Sequence, residues 1–479
     1  MTLSLLGAHT RGWRAVALAL LGCAATASGA TVRAGAGRVD ITPSGPIWMS
    51  GYATRNHPSE SVGQHLWARA LAIDTGSGGR LVIVSTDLIG LPFEVSDQVA
   101  ARARQQFGIE RSHLWLNSSH THTGPVIWPN LASMFVLPPG EEQKLKDYAA
   151  LLVDNLVAAI GKAVAELAPA EVSFAFGQAG FAMNRREATP TGVKIGVNRQ
   201  GPGDHEVPVL KVAGQDGKVR AILFAYACHN TTLTGEFYQI TGDYAGFAEA
   251  ELESSYPGST ALFVELCGGD QNPYPRSTLE LAVQHGHEMA AEVGRVMKGK
   301  MQPLLGRLRT AYQIASLPFA PQERATYEAD LQNPKASPAA KQRAQRMLQA
   351  IDSGHPVRET PYPVQAIRFG SALTVLALAG EVVVDYDLRA KREYQREHQP
   401  EHQRGHQREH QRDHAGEPLI VAGYSNAVMS YIPSERVLRE GGYEAVDSMV
   451  YYGQPGPFAP GVEERVFSAV HAVMKQVGR

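Results

Sequence analysis

The chain has 479 residues, 44% hydrophobic and 19% charged, a balance that supports a folded core and excludes a coiled coil, a disordered chain or a small disulfide framework. Its 45 Lys and Arg nearly cancel its 47 Asp and Glu, so no overall field recommends nucleic acid as a partner. The 3 cysteines include no Cys-x-x-Cys pair, which excludes a zinc ribbon.

In chain order, Arg11 and Arg14 precede an apolar run from Ala15 to Ala25, followed by small residues ending Ala27-Ser28-Gly29-Ala30. Basic, apolar, then small is the order of a secretory signal peptide, here residues 1–30, and the run is too short to span a bilayer. The expectation is a secreted or periplasmic protein whose mature part is 31–479. Leu20-Leu21-Gly22-Cys23 also resembles a lipoprotein cleavage box, which makes a lipid anchor on Cys23 the alternative. No later segment approaches the ~20 apolar residues of a membrane helix, so contact with a membrane or lipid aggregate would be peripheral. Removing the leader leaves Cys228 and Cys267, and the sequence leaves open whether they pair.

Beyond the leader, strand-like and helix-like patterns alternate. Leu81 to Asp87 reads as a buried strand, Phe93 to Phe107 as a helix stopped by Gly108, and His113 to Leu116 as the next strand. Glu141 to Leu167 has helical periodicity; Val219 to Ala227 and Thr260 to Leu266 read as strands, with a helix from Tyr244 to Ser255 between them. Leu373 to Ala379 is another strand and Val462 to Val477 a closing helix. The alternation predicts an α/β fold of mixed sheets flanked by helices, in a single large domain. Pro321 to Pro356, charged and weakly apolar, reads as a solvated helical excursion. The low-complexity stretch 396–414 repeats a four-residue unit and spaces His398, His402, His406, His410 and His414 four apart; it reads as an expanded tandem repeat, not a catalytic element.

Polar residues gather just past the ends of the apolar strands: Asp87, His120, His122, His229, Asp270 and Glu381. In open α/β sheets the ligand crevice lies at that edge. His120-Thr121-His122 on extended backbone would turn both imidazoles toward one cavity, and neutral imidazole is a common metal ligand. On the helical pattern around His285-Gly286-His287, by contrast, residues two apart diverge. Taken singly, His229 reads as a core histidine, Glu381 as a helix-terminus charge and Tyr431 as packing. Asp87 and Asp270 are placed to orient ligand imidazoles from behind.

Together these motifs resemble the catalytic domain of the neutral/alkaline non-lysosomal ceramidases. The resemblance runs from Gly37-Arg-Val-Asp-Ile-Thr-Pro43 and Ser50-Gly-Tyr-Ala53 through Arg69-Ala70 to Ser119-His-Thr-His-Thr-Gly-Pro125. It continues through Asn184-Arg185, Cys228-His-Asn-Thr-Thr232, Gly269-Asp270, Gly380-Glu381 and Gly423-Tyr-Ser-Asn426, and closes with Tyr431-Ile-Pro-Ser and Tyr443-Glu444. It implies a Zn2+ ion held by His120, His229, Glu381 and Tyr431, with His122, Arg185 and Tyr443 lining the reaction centre. The implied reaction is cleavage of the amide of a ceramide-like N-acyl lipid, by metal-activated water, to a sphingoid base and a fatty acid.

The chain departs from the family where ceramidases carry serine in Gly-Asp-x-Ser-Pro-Asn; here Asn272 follows Gly269-Asp270-Gln271. An amide cannot serve as a hydroxyl nucleophile, which favours activated water and leaves the substrate open to other amides or esters. No Gly-x-Ser-x-Gly elbow or His-Glu-x-x-His motif supports a serine hydrolase or a metzincin. The remaining alternative is a non-catalytic cell-surface protein that keeps the fold.

Overall fold

The computed structural model describes residues 32–395 and 416–479. The leader at 1–30 and the repeat at 396–414 therefore lie outside the described residues. The first half contains β1 (Arg33–Asp40), β2 (Trp67–Asp74), β3 (Arg80–Thr86), α1 (Phe93–Phe107), β4 (Leu114–Ser118) and α2 (Glu141–Ala165). Then come β5 (Ala168–Gln178), β6 (Glu206–Gly214), β7 (Val219–Tyr226), α3 (Asp243–Ser255), β8 (Thr260–Glu265) and α4 (Leu279–Lys298). The second half adds β9 (Leu308–Pro318), α5 (Arg324–Gln332), α6 (Pro338–Asp352), β10 (Glu359–Phe369), β11 (Leu373–Leu378), α7 (Asp385–Gln395), β12 (Leu419–Ala422) and, after a short Glu435–Glu440 turn of helix, the closing α8 (Val462–Gln476).

Two mixed sheets result. The larger, nine-stranded sheet runs β8-β7-β6-β5-β1-β2-β3-β4, with the short Gln302–Pro303 strand on β5; the smaller runs β9-β10-β11-β12. Most neighbours are antiparallel, but β3 and β4, β7 and β8, and β11 and β12 pair in parallel. Parallel neighbours need a crossover, and α1 and α3 supply two of them.

Alternation along the strands shows why the sheets stack. On β3, Leu81 and Ile83 face the second sheet, whereas Val82 and Val84 face α1 and α2. On β7, Leu223 and Ala225 point inward while Ile222 and Phe224 meet α3 and α4. On β11, Val375 and Ala377 join the layer between the sheets, and Leu376 and Leu378 pack under α7 and α8. Each of these strands is buried on both faces, which is why it reads as a continuous apolar run rather than an alternating one. The fold is thus α/β, a helix–sheet–sheet–helix stack. Each fully buried Leu, Ile or Val contributes about 1.5–3 kcal/mol, so the three apolar layers account for the main driving force.

The apolar α2 lies half-buried against the first sheet. The excursion from Pro321 to Pro356 forms α5 and α6, which share a small core of Tyr327, Ala344 and Met347. Cys228 and Cys267 are both buried and unpaired.

Candidate metal centre and active site

The site lies where the parallel strand pairs end. After β4 the chain turns at His120, whose φ of 63° is left-handed. The turn is pinned by Ser119 N–H donating to Thr86 O (2.9 Å) and His120 N–H to Leu88 O (2.9 Å). Asn230, just past β7, clamps the same loop: its Nδ2 donates to Ser119 O at 2.6 Å and its carbonyl accepts from His122 N–H at 3.2 Å. The two histidines do meet, with Nε2 atoms 3.0 Å apart and ring planes at 80°. Extended backbone is not the reason, however; the left-handed turn is. A left-handed non-glycine residue costs of order 1–3 kcal/mol and persists only where its surroundings over-determine it.

Glu381 and Tyr431 come together through a two-residue parallel ladder, Glu381–Val382 with Tyr431–Ile432, in which the two residues are register partners. Partners in a parallel ladder present their side chains on the same face. Glu381 Oε2 lies 3.0 Å from His120 Nε2 and 3.1 Å from His229 Nε2, and the Tyr431 hydroxyl is 3.0 Å from His229 Nε2. The four side chains expected to hold an ion thus converge on one point, all buried. His122 adds a third imidazole: the histidine ligand atoms of 120, 122 and 229 lie within 4.8 Å of one another.

The hydrogen bonds behind the rings decide which atoms face the centre. His120 Nδ1 meets Ile89 O at 2.6 Å and His229 Nδ1 meets Gly268 O at 2.8 Å. A carbonyl only accepts, so both Nδ1 atoms carry hydrogen and, in the neutral rings, both Nε2 lone pairs point inward. Burial, then the neighbouring Arg185 and His120, push the His229 imidazole down to about 3. Burial alone would raise the Glu381 carboxyl, but His120 and His229 outweigh it and hold it well below the usual range. Two Nε2 lone pairs and the Glu381 carboxylate are thus turned toward the point of convergence, and a cation is what such a donor set attracts. The residues fit a metal ion.

Asp87 and Asp270 do not orient the imidazoles. Asp87 accepts from Arg69 Nη1 (2.9 Å) and Trp67 N–H (2.7 Å), while Asp270 accepts from Asn184 Nδ2 (3.0 Å) and Val384 N–H (2.9 Å). Backbone carbonyls took the role expected of the acids, and a carbonyl leaves no trace in residue identity.

Arg185 is placed by another short ladder, Gln271–Pro273 against Ala182–Asn184, and by Arg185 N–H donating to Asp270 O (2.9 Å). Its guanidinium donates to Tyr431 OH (2.9 Å), Glu444 Oε1 (2.8 Å) and Asn272 Oδ1 (3.2 Å). Tyr443 packs edge-on to Tyr431, ring centroids 5.4 Å apart. Residues the sequence reading missed also meet here. Tyr452 donates to Glu381 Oε1, and the buried Arg55 Nη1 donates to His122 O at 2.7 Å. Tyr452 is an aromatic among many in its stretch, and no spacing distinguishes it. His285 and His287 stand apart, the first on Pro275 O and the second on Glu251.

Beside the centre opens a cleft of about 230 Å3, walled by Tyr52, His122, Met134, Arg185, Tyr443 and Tyr451 among others. A separate apolar space between the two sheets is simply their packed interface, lined by Ile83, Trp115, Leu223 and Val375.

Residues 32–299, more than half of the chain, match the family described as neutral/alkaline non-lysosomal ceramidase, N-terminal. The chain belongs to the neutral/alkaline non-lysosomal ceramidase family. It is similar to the neutral ceramidase of Pseudomonas aeruginosa, 28% identical over 251 residues that make up 50% of this chain and 37% of that one. To the neutral ceramidase of Mycobacterium tuberculosis it is 27% identical over 265 residues, 50% of this chain and 40% of the relative. The chain thus spans less than half the length of these curated ceramidases. In fold it is similar to the crystal structure of neutral ceramidase from Pseudomonas aeruginosa, with a TM-score of 0.69 at 19% identity over 93% of this chain and 74% of that one. The ceramidase family match holds His120, His122, Arg185 and His229; Glu381, Tyr431 and Tyr443 follow it in the chain.

Proposed function

We propose that this chain is a zinc-dependent amide hydrolase acting on N-acyl lipids of the ceramide type, with His120, His229, Glu381 and Tyr431 as the metal ligands. The observation that carries the reading is the inward-facing pair of imidazole lone pairs opposite Glu381 Oε2, at 3.0 and 3.1 Å, beside an open cleft. When bound, zinc supplies Lewis acidity, lowering the pKa of water toward ~7 and polarising the amide carbonyl.

The chain's own residues would do the rest. His122 sits on the cleft wall, its Nδ1 without a protein partner, and burial followed by the neighbouring His120 and His229 presses it well below its ordinary range. A neutral imidazole here is fit to take a proton from water and return it to the leaving amine. Tyr443, which also lines the cleft, offers a hydroxyl for the developing oxyanion. Arg185 orients Tyr431 and, through Asn272, the cleft floor. Asn272 carries no hydroxyl, in keeping with attack by water rather than an acyl-enzyme.

Export follows from the leader, and we propose it on that ground alone. Metal analysis together with hydrolysis of a fluorogenic N-acyl sphingosine tests the function. Zinc near one equivalent with chelator-sensitive turnover is expected. Turnover only on other amides or esters would move the substrate within the family, whereas no metal and no turnover would leave a binding protein.

A further inference from the structure

The chemistry of the cleft wall points to a narrower substrate class, an inference that rests on the amide hydrolase reading. We propose that the cleft takes N-acyl compounds whose amine portion carries an anionic oxygen group, an N-acyl amino acid being the simplest, and that Arg276 receives that group.

Arg276 lines the cleft and is only partly buried. Its Nε donates to Thr231 O at 2.7 Å and its Nη2 to the Tyr52 hydroxyl at 2.9 Å, so the guanidinium is held in one orientation. Among the described residues no carboxylate pairs with it. Asp243, the acid its field reaches, is fully buried and occupied by the N–H groups of Leu233 and Tyr244. The other cleft arginine, Arg185, is neutralised by Glu444 at 2.8 Å. No Asp or Glu among the described residues lines the cleft. A fixed, unneutralised guanidinium beside an open space is the arrangement that recognises a carboxylate or phosphate.

Asn272 adds a second donor. Its Oδ1 accepts from Arg185 Nη1 and from Thr231 Oγ1, each at 3.2 Å. Since a guanidinium only donates, the atom facing it is the oxygen, and the Asn272 NH2 is left for the cleft it lines. Thr231 links the two donors, its carbonyl holding Arg276 and its hydroxyl holding Asn272. This part of the wall therefore offers two donors and positive charge with no carboxylate among its lining, the pairing an anionic group requires. The acyl side of such a lipid is hydrocarbon, which assigns the anion to the amine side.

The test compares N-dodecanoylglycine, N-dodecanoylethanolamine phosphate and neutral N-dodecanoylethanolamine, below their aggregation limits. It reads kcat/KM on the zinc-loaded full chain and calorimetric binding on the metal-free one. The anionic compounds should be preferred by about tenfold to a hundredfold, the size of one charge-assisted contact, and the preference should shrink as salt rises. A larger preference for the glycine compound identifies a carboxylate as the ligand, and one for the phosphate compound identifies a phosphoryl group. R276Q should bring the anionic-to-neutral ratio to about one and R276K should keep part of it. Tyr52→Phe, which loosens the guanidinium but removes no charge, should keep most of it. Should R276Q fail to fold, R276K and the salt dependence still decide. A wild-type ratio near one in both readouts, or a ratio that R276Q leaves intact, overturns the anion site. Absence of turnover on every compound with the binding ratio preserved would overturn the hydrolase reading and leave the anion site standing.

Discussion

The hydroxyl of Tyr452 donates to Oε1 of Glu381, leaving Oε2 as the carboxylate oxygen that faces His120 and His229. One hydrogen bond thus selects which oxygen points at the centre and keeps the buried carboxylate from rotating. Tyr452→Phe should lower zinc affinity about tenfold to a hundredfold, the usual cost of losing a partner behind a ligand, without changing the ligand set. Competition against a chromophoric chelator measures this. An unchanged affinity would mean that the ladder alone orients Glu381.

Gly51 abuts the His122 ring. A Cβ added there would lie 2.3 Å from His122 Nδ1, and the residue's φ of +95° is left-handed as well. Gly51→Ala should displace the ring and cut turnover about a hundredfold, because a shift near 1 Å at a reacting group costs that much. Its zinc content should match wild type, since His122 lies outside the proposed ligand set. Parallel metal analysis and kinetics decide: retained turnover removes His122 from the reaction.

Removing the ion should destabilise the whole stack, because His120 and His229 follow strands of the larger sheet whereas Glu381 and Tyr431 follow strands of the smaller one. At zinc a thousandfold above its Kd, holo stability should exceed apo by about 4 kcal/mol. Thermal unfolding with and without chelator reads this difference, and His229→Ala should abolish it. Identical Tm values for the two forms would argue against a structural contribution from metal.

Asp270 supplies a pH dependence away from the ligands. Burial raises its carboxyl to about 6, against the opposing hydrogen bond from Val384 N–H. The unfolded carboxyl titrates near 3.9, so between these values the folded state holds the extra proton. Stability from this group is complete below about 4 and is lost as pH rises through about 6, roughly 3 kcal/mol in all. Asp270→Asn starts from a lower baseline, since its NH2 would meet the Asn184 donor, but it should lack this slope. Denaturant titrations across that window compare the two slopes, and parallel curves would show Asp270 ionised throughout.

Much of the framework was legible in the residues. Phe93–Phe107 was bounded at both ends, and Val219–Tyr226, Thr260–Glu265 and Leu373–Leu378 were found within a residue or so. Strands buried on two faces announce themselves as apolar runs. The long antiparallel strands Ala168–Gln178 and Leu308–Pro318 went unread because half-exposed strands mix polar and apolar residues, and the mostly buried Glu359–Phe369 because Pro361, Pro363 and Gln365 interrupt its apolar run. The ligand candidates were legible through motif resemblance; their supports were not. Tyr452, Arg55 and the carbonyls of Ile89 and Gly268 act through position alone.

The sequence by itself determined the α/β class, which resides in periodicity, and carried the family's motifs with their candidate metal-binding side chains, which reside in local chemical type. Tertiary structure decided which nitrogen of each imidazole faces the centre, that Asp87 and Asp270 serve elsewhere, and that Arg276 stands unneutralised in the cleft. Those outcomes depend on atoms contributed by residues hundreds of positions apart, as His120 and Glu381 are, and a one-dimensional pattern carries no record of which distant atom arrives beside which.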